Sequence, residues 1–112
     1  MLTSGDVVDL DLGLPTGSEA GFRHPAIVVT AQEILDHKPT VIHVVPLTST
    51  IRSSPTEITI SAKHSGLKKV SAAQCQHIRA ISAARIEKVR GNVGTVDLIR
   101  IREVLALLLD LA

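Results

Sequence analysis

The sequence predicts a mainly β chain of the α+β class: a small, strongly twisted antiparallel sheet or partial barrel with one helix at its C-terminus. Three observations predict it. Short apolar stretches alternate with polar residues at a period of two, as in Val8-Asp9-Leu10-Asp11-Leu12 and Thr56-Glu57-Ile58-Thr59-Ile60-Ser61. Gly, Pro and Ser punctuate the chain between these stretches. Only the last segment carries apolar residues at helical spacing, at Leu98, Ile101, Leu105, Leu108 and Ala112.

The first strand is read over Asp6 to Leu12, half-buried, with Val8, Leu10 and Leu12 inward. Gly13 to Gly21 is loop material, and the nine residues Gly17 to Pro25, G-S-E-A-G-F-R-H-P, form the chain's densest cluster of chemistry. Pro25 to Thr30 is a β-branched strand opened by proline, which a strand tolerates at its first residue. Ala31 to Lys38 is a short helical turn before Pro39. Thr40 to Leu47 is the most apolar strand and delivers Thr48, Ser49 and Thr50 at its end. Thr56 to Ser61 is the fourth strand. A basic turn around Gly66 leads into Val70 to Cys75 and His77 to Ile81, two strand segments bent near Gln76, and Arg85 to Val93 is a short final strand. Thr95 is the expected N-cap of the closing helix, with Asp97 near its positive end. Ile99 and Leu107 fall off its apolar stripe, which points to a second chain packing there.

The chain has 112 residues, which fits one domain over 1–112 with core enough to fold without staples. A lone cysteine, Cys75, makes no internal disulfide and suits a reducing cytosol, so a cytoplasmic location is expected. The longest near-apolar run, Val104 to Leu109, is shorter than the ~20 residues of a membrane span, so no membrane partner is expected. Phe22 is the only aromatic residue, which excludes RNA binding by a platform of stacked aromatics. The net charge of +1 hides an asymmetry: residues 37–93 carry +7, the two ends together −6, and Ile58 to Ile86 holds no acid. A basic middle between acidic ends is what a nucleic-acid groove beside a solvated or protein-facing surface produces.

No metal or cofactor is expected. The five histidines lack paired ligand spacing, one cysteine is too few for a zinc cluster, and the glycines follow neither the Walker nor the dinucleotide pattern. His43 is read as a core or face histidine. What remains suits attack on a phosphodiester. Metal-free cleavage of RNA needs a base for the 2′-OH proton, an acid for the departing 5′-oxygen and donors for the phosphorane oxygens. Arg23 is a donor and a poor base. His24 is the better proton carrier, with an ordinary pKa near ~6.5. Thr48 and Ser49 can hydrogen-bond a phosphate from the neighbouring strand end.

Five stretches in order, G-D-V-V-D-L-D-L (Gly5 to Leu12), G-S-E (Gly17 to Glu19), R-H-P-A-I-V-V (Arg23 to Val29), V-V-P-L-T-S (Val44 to Ser49) and Q-H-I-R-A-I (Gln76 to Ile81), resemble the MazF/PemK family of toxin endoribonucleases. The resemblance spans nearly the whole chain. It implies an SH3-like barrel of the CcdB/Kid/MazF kind, a homodimer, a cognate antitoxin that blocks the RNA groove, and metal-independent, sequence-selective cleavage of single-stranded RNA leaving 2′,3′-cyclic phosphate and 5′-OH ends. The family's first-loop Glu matches Glu19 and its strand-end Thr matches Thr48. Its usual Arg-Pro is Arg23-His24-Pro25 here, and a gapless count from Glu19 drops His24 onto the arginine's place. Two registers follow, one with Arg23 and one with His24 at the phosphate, and the expected catalytic set is Arg23, His24 and Thr48. Where some members carry acid and base residues, this chain has Gln74 and Gln76, which carry no proton, and His77 becomes a second titratable group. The expected RNA-binding set is Glu19, Phe22, Ser49, Thr50, Arg52, Lys68, Lys69, Gln74, Gln76, His77 and Arg79.

Two other classes share this outline. A non-catalytic toxin of the same fold would bind a protein such as gyrase, but such relatives end in a Trp-Gly tail and this chain ends L-L-D-L-A. A plain RNA-binding barrel would bind without strand scission.

Overall fold

The computed structural model describes residues 1–12 and 23–111. Among the described residues, seven strands form one antiparallel sheet: β1 (Asp6–Asp11), β2 (Arg23–Val28), β3 (Val41–Thr48), β4 (Glu57–Ile60), β5 (Ser71–Gln74), β6 (Arg79–Ser82) and β7 (Ile86–Asn92). A one-turn helix α1 (Gln32–Leu35) links β2 to β3, and α2 (Thr95–Leu108) closes the chain. The sheet order is β4-β5-β3-β2-β1-β7, with β6 also paired to β3.

β3 is the axis of the sheet. On one side it pairs with β2, Ala26 opposite Pro46 and Val28 opposite Val44. On the other side its partner changes along its length, since Val41–Val44 pair with β6 and Leu47–Thr48 with β5. The chain passes between these partners through a 3-10 turn, Cys75–His77. The bend expected near Gln76 is this turn, and it carries Gln74, Gln76, His77 and Arg79 to a corner of the sheet. Small Ser71, Ala72 and Ala73 let β5 fit with all four of its residues buried, Gln74 included.

Both faces of the sheet are covered. Val7, Ile27, Val45, Leu47, Ile58 and Ile60 pack under Ile101 and Leu105 of α2. Val8, Leu10, Ala26, Val28, Ile42 and Val44 pack with Leu35 of α1 on the other side. The half-buried alternation of β1 holds from Val8 onward, where buried Val8 and Leu10 alternate with the less buried Asp9 and Asp11, and Val7 adds a buried residue on the opposite face. Register shifts against β7 on either side of Val8-Asp9 mark bulges that increase the twist.

Several boundaries also differ from expectation, and β6 starts at Arg79 because Cys75–His77 form the 3-10 turn. β2 starts at Arg23 and not Pro25, because Arg23 and His24 pair with Asp11 and Leu10. Gly94 caps α2 instead of Thr95. Its φ of 87° turns the chain out of β7, its carbonyl accepts from the Leu98 N–H, and Thr95 becomes the first helical residue. Leu98, Ile101 and Leu105 are the buried stripe, each contributing about 1.5–3 kcal/mol of burial. Ile99 and Leu107 are exposed, as their off-stripe positions predict.

The turn after β4 folds back over β7. Gly66 has φ 76°, and a Cβ there would strike the Arg90 carbonyl, while one on Gly91 would lie 2.6 Å from the Ser65 carbonyl carbon. Two glycines facing each other let backbone touch backbone. The Asn92 N–H donates to the His64 carbonyl at 3.4 Å, and the Ser65 hydroxyl holds the turn by donating to the Ser61 carbonyl at 2.8 Å. Among the described residues no helix is long and apolar enough to cross a membrane.

Candidate functional site

Strand alternation sends Arg23 and His24 to opposite faces of β2. Arg23 lies on the face of Pro25 and Ile27 and leans across β1, its Nε 3.0 Å from Glu87 Oε2, with the side chain 75% exposed. His24 lies on the face of Leu10 and Ala26. It walls a hollow of about 840 Å³ that also takes Gln74, His77, Arg79 and Arg85. The same ring borders a second hollow of about 450 Å³ with Thr48, Ser49, Lys68, Lys69 and Arg90. Among the described residues His24 is therefore the one common to both.

Burial, and after it the charge of Arg79, hold the His24 imidazole below the ordinary histidine value. A ring neutral at neutral pH can accept a proton. In the second hollow the Thr48 hydroxyl accepts from the Thr50 N–H at 3.2 Å, and Arg90 is partly compensated by Asp9 at 3.4 Å. Lys68 and Lys69 are exposed there and supply positive charge.

A hydrogen-bonded corner closes the first hollow. Glu57 on β4 stands opposite Gln74 on β5. Its Oε2 accepts from Gln76 Nε2 at 2.7 Å and from Gln74 Nε2 at 3.3 Å. Gln76 Oε1 in turn accepts from the Thr56 hydroxyl at 3.0 Å, so both ends of that amide are engaged. The hydrogen bond from Gln76 is the main cause that holds the Glu57 carboxyl below its ordinary value. Cys75 in the same turn is buried, which pushes its thiol up to about 11 and leaves it no nucleophile.

The fold thus gathers His24, Gln74, His77 and Arg79 in one hollow and Thr48, Ser49, Lys68 and Lys69 in the other. Arg23, Thr50, Arg52 and Gln76 line neither. Glu19 and Phe22 lie outside the described residues. Sequence reasoning passed over Arg85, whose guanidinium donates to the Asp11 carbonyl at 3.1 Å at the rim of the first hollow. It also passed over Glu57. The signal was present, since Glu57 is one of only two acids in the basic middle of the chain. Among the described residues no group of three His, Cys, Asp or Glu side chains is placed to hold a metal ion.

Comparison with known proteins matches the same outline. The family described as PemK-like, MazF-like toxin of type II toxin-antitoxin system fits residues 3–109. The chain is 34% identical over 116 residues to Endoribonuclease MazF9 of Mycobacterium tuberculosis, covering 99% of this chain and 98% of that protein. Its fold matches an endoribonuclease in complex with its cognate antitoxin from a mycobacterial species, with a TM-score of 0.81 at 21% identity, over 100% of this chain and 98% of the other. MazF from Deinococcus radiodurans superimposes with a TM-score of 0.72 at 26% identity, covering 96% of each chain. With a family match over nearly its whole length and a relative above 30% identity, this chain belongs to the PemK-like, MazF-like toxins of type II toxin-antitoxin systems.

Proposed function

We propose that the protein is a single-domain (1–112), metal-independent endoribonuclease, the toxin of a type II pair, which cuts single-stranded RNA selectively by sequence and so stops translation and growth. The observation that carries this reading is the placement of His24 on the wall shared by two hollows, one with His77 and Arg79, the other with Thr48 and the lysine pair.

His24, neutral, takes the proton of the 2′-OH as its oxygen attacks the adjacent phosphorus. The O2′–P bond forms and the P–O5′ bond breaks. His77 gives its proton to the departing 5′-oxygen, and the products are a 2′,3′-cyclic phosphate and a 5′-OH. Arg79 meets the charge that grows on the phosphorane oxygens, and the Thr48 hydroxyl holds the phosphate from the far side. Ser49, Lys68 and Lys69 lead the strand away along the second hollow. Arg23 is a bystander paired with Glu87, so the gapless register, with His24 in the family arginine's place, is the one this geometry favours.

Exposed Ile99 and Leu107 support a homodimer, and the relatives solved with antitoxins support a cognate antitoxin as partner in the cytoplasm. The test incubates the purified chain with mixed single-stranded RNAs in excess chelator and maps the ends. Cuts leaving 2′,3′-cyclic phosphate and 5′-OH termini are expected. Intact RNA at high protein concentration would sink the reading.

A further inference from the structure

We propose that Glu57 is a positioning residue that locks Gln74 as an acceptor-only reader, so that the hollow beside His24 selects adenine or cytosine, through the exocyclic amine, over uracil. The inference rests on the endoribonuclease reading above and adds to it a substrate preference and the two residues that set it.

A free glutamine amide carries a donor and an acceptor and can turn over to match either edge of a base. Gln74 cannot. The antiparallel register of β4 and β5 sets Glu57 directly opposite it, and an ionised carboxylate only accepts, so the NH2 end must face Glu57 Oε2. That leaves Oε1 as the end offered to a ligand. Gln74 is only 8% exposed and lines the hollow with His24 and Arg79, and turning its amide over would set its oxygen against the Glu57 carboxylate, acceptor to acceptor.

Gln76 removes the other route to freedom. It fills the same carboxylate oxygen at 2.7 Å and is itself held at its far end by Thr56, so Glu57 is gripped as well as gripping. The arrangement is costly in one respect. Glu57 Oε1 is the single buried side-chain oxygen or nitrogen without a hydrogen-bond partner among the described residues. A network built for stability alone would divide its two donors between the two oxygens. Here both converge on Oε2, which fixes the amide orientation at the expense of Oε1.

Adenine and cytosine carry an exocyclic amine, at the purine 6- and pyrimidine 4-position, that can donate to the fixed Oε1. At that position uracil and guanine carry a carbonyl oxygen, which would meet Oε1 acceptor to acceptor, and the uracil N3–H lies at the neighbouring ring position. One such hydrogen bond, made or left unmade in a partly enclosed site, corresponds to a preference of about tenfold.

The experiment sequences the ends cut from a mixed RNA pool by the full-length protein. It then replaces the base at the preferred position by its amine-free analogue, purine riboside for adenosine or pyrimidin-2-one riboside for cytidine. The wild type should disfavour uracil at one position about tenfold and lose about as much on the analogue. Glu57→Ala and, independently, Gln74→Leu should cut both RNAs alike. A merely structural role of Glu57 would lower activity on both RNAs together and leave their ratio unchanged, which overturns the proposal. Should Glu57→Ala fail to fold, Glu57→Gln, which lets the Gln74 amide turn over, replaces it with the same expected loss of preference. A wild type that cuts RNA with no preference for adenine or cytosine over uracil overturns this inference alone, whereas a wild type that cuts nothing removes the endoribonuclease reading beneath it.

Discussion

His24 meets two hollows while Arg23, one position earlier, spends its charge on Glu87. The consequence is a separation of effects that simple kinetics can read. His24→Ala should lower kcat/KM by about 10²- to 10⁴-fold, the range for loss of a general base. Arg23→Ala removes an exposed ion pair and should change it by less than about fivefold. Equal losses would show that Arg23 swings into the hollow with substrate bound. The pH profile gives a second check. Because burial and Arg79 lower the His24 pKa, the acid limb of kcat/KM should fall below the ordinary histidine value of 6.5, and Arg79→Ala should move it upward. Stability follows the same sign. A histidine with a depressed folded pKa contributes stability above its unfolded value that is lost as pH falls through the folded one, so the native state should weaken as the medium drops below about 6.5.

Among the elements, the turn Ser61–Leu67 makes the firmest stability prediction. Gly66→Ala places a Cβ against the Arg90 carbonyl at a backbone angle that favours glycine, so it should cost more than the ~1 kcal/mol of an ordinary glycine replacement, and a denaturant titration measures it. An unchanged midpoint would mean the turn can lift off β7. Much of this level was legible in the sequence. The alternation at Ile58 and Ile60, the apolar run before Thr48 and the stripe Leu98, Ile101, Leu105 each follow from one periodicity meeting one buried face. Val7 was not legible as core, because alternation assumes a single buried face and β1 has two. The start of β2 was hidden for a related reason. Arg23 and His24 are polar and precede a proline, so only their pairing with β1 makes them strand. The candidate site divides along the same line. His24, Thr48 and Lys68 could be named from residue type, whereas Glu57 acquires meaning only when β4 is laid beside β5.

At the scale of the molecule, the excess of positive charge in residues 37–93 is concentrated around the two hollows as Lys68, Lys69, Arg79 and Arg85. If these four contact phosphates, the logarithm of RNA affinity should fall against the logarithm of salt with a slope of roughly −3, measured by titration of a non-cleavable single strand. A slope near zero would place the RNA elsewhere on the surface. Charge alone does not decide how the protein meets other macromolecules, and the paired glycines bear on that. β4 and β7 end the hydrogen-bonded order of the sheet, and open strand edges invite any extended peptide to add itself as one more strand. By pressing Ser65 and Gly66 onto Arg90 and Gly91, the chain occupies the C-terminal part of the β7 edge with its own backbone. A protein partner arriving at that margin finds no ladder to extend and must be recognised through side chains, which confines strand-addition binding, and accidental self-association by the same route, to the rest of the sheet.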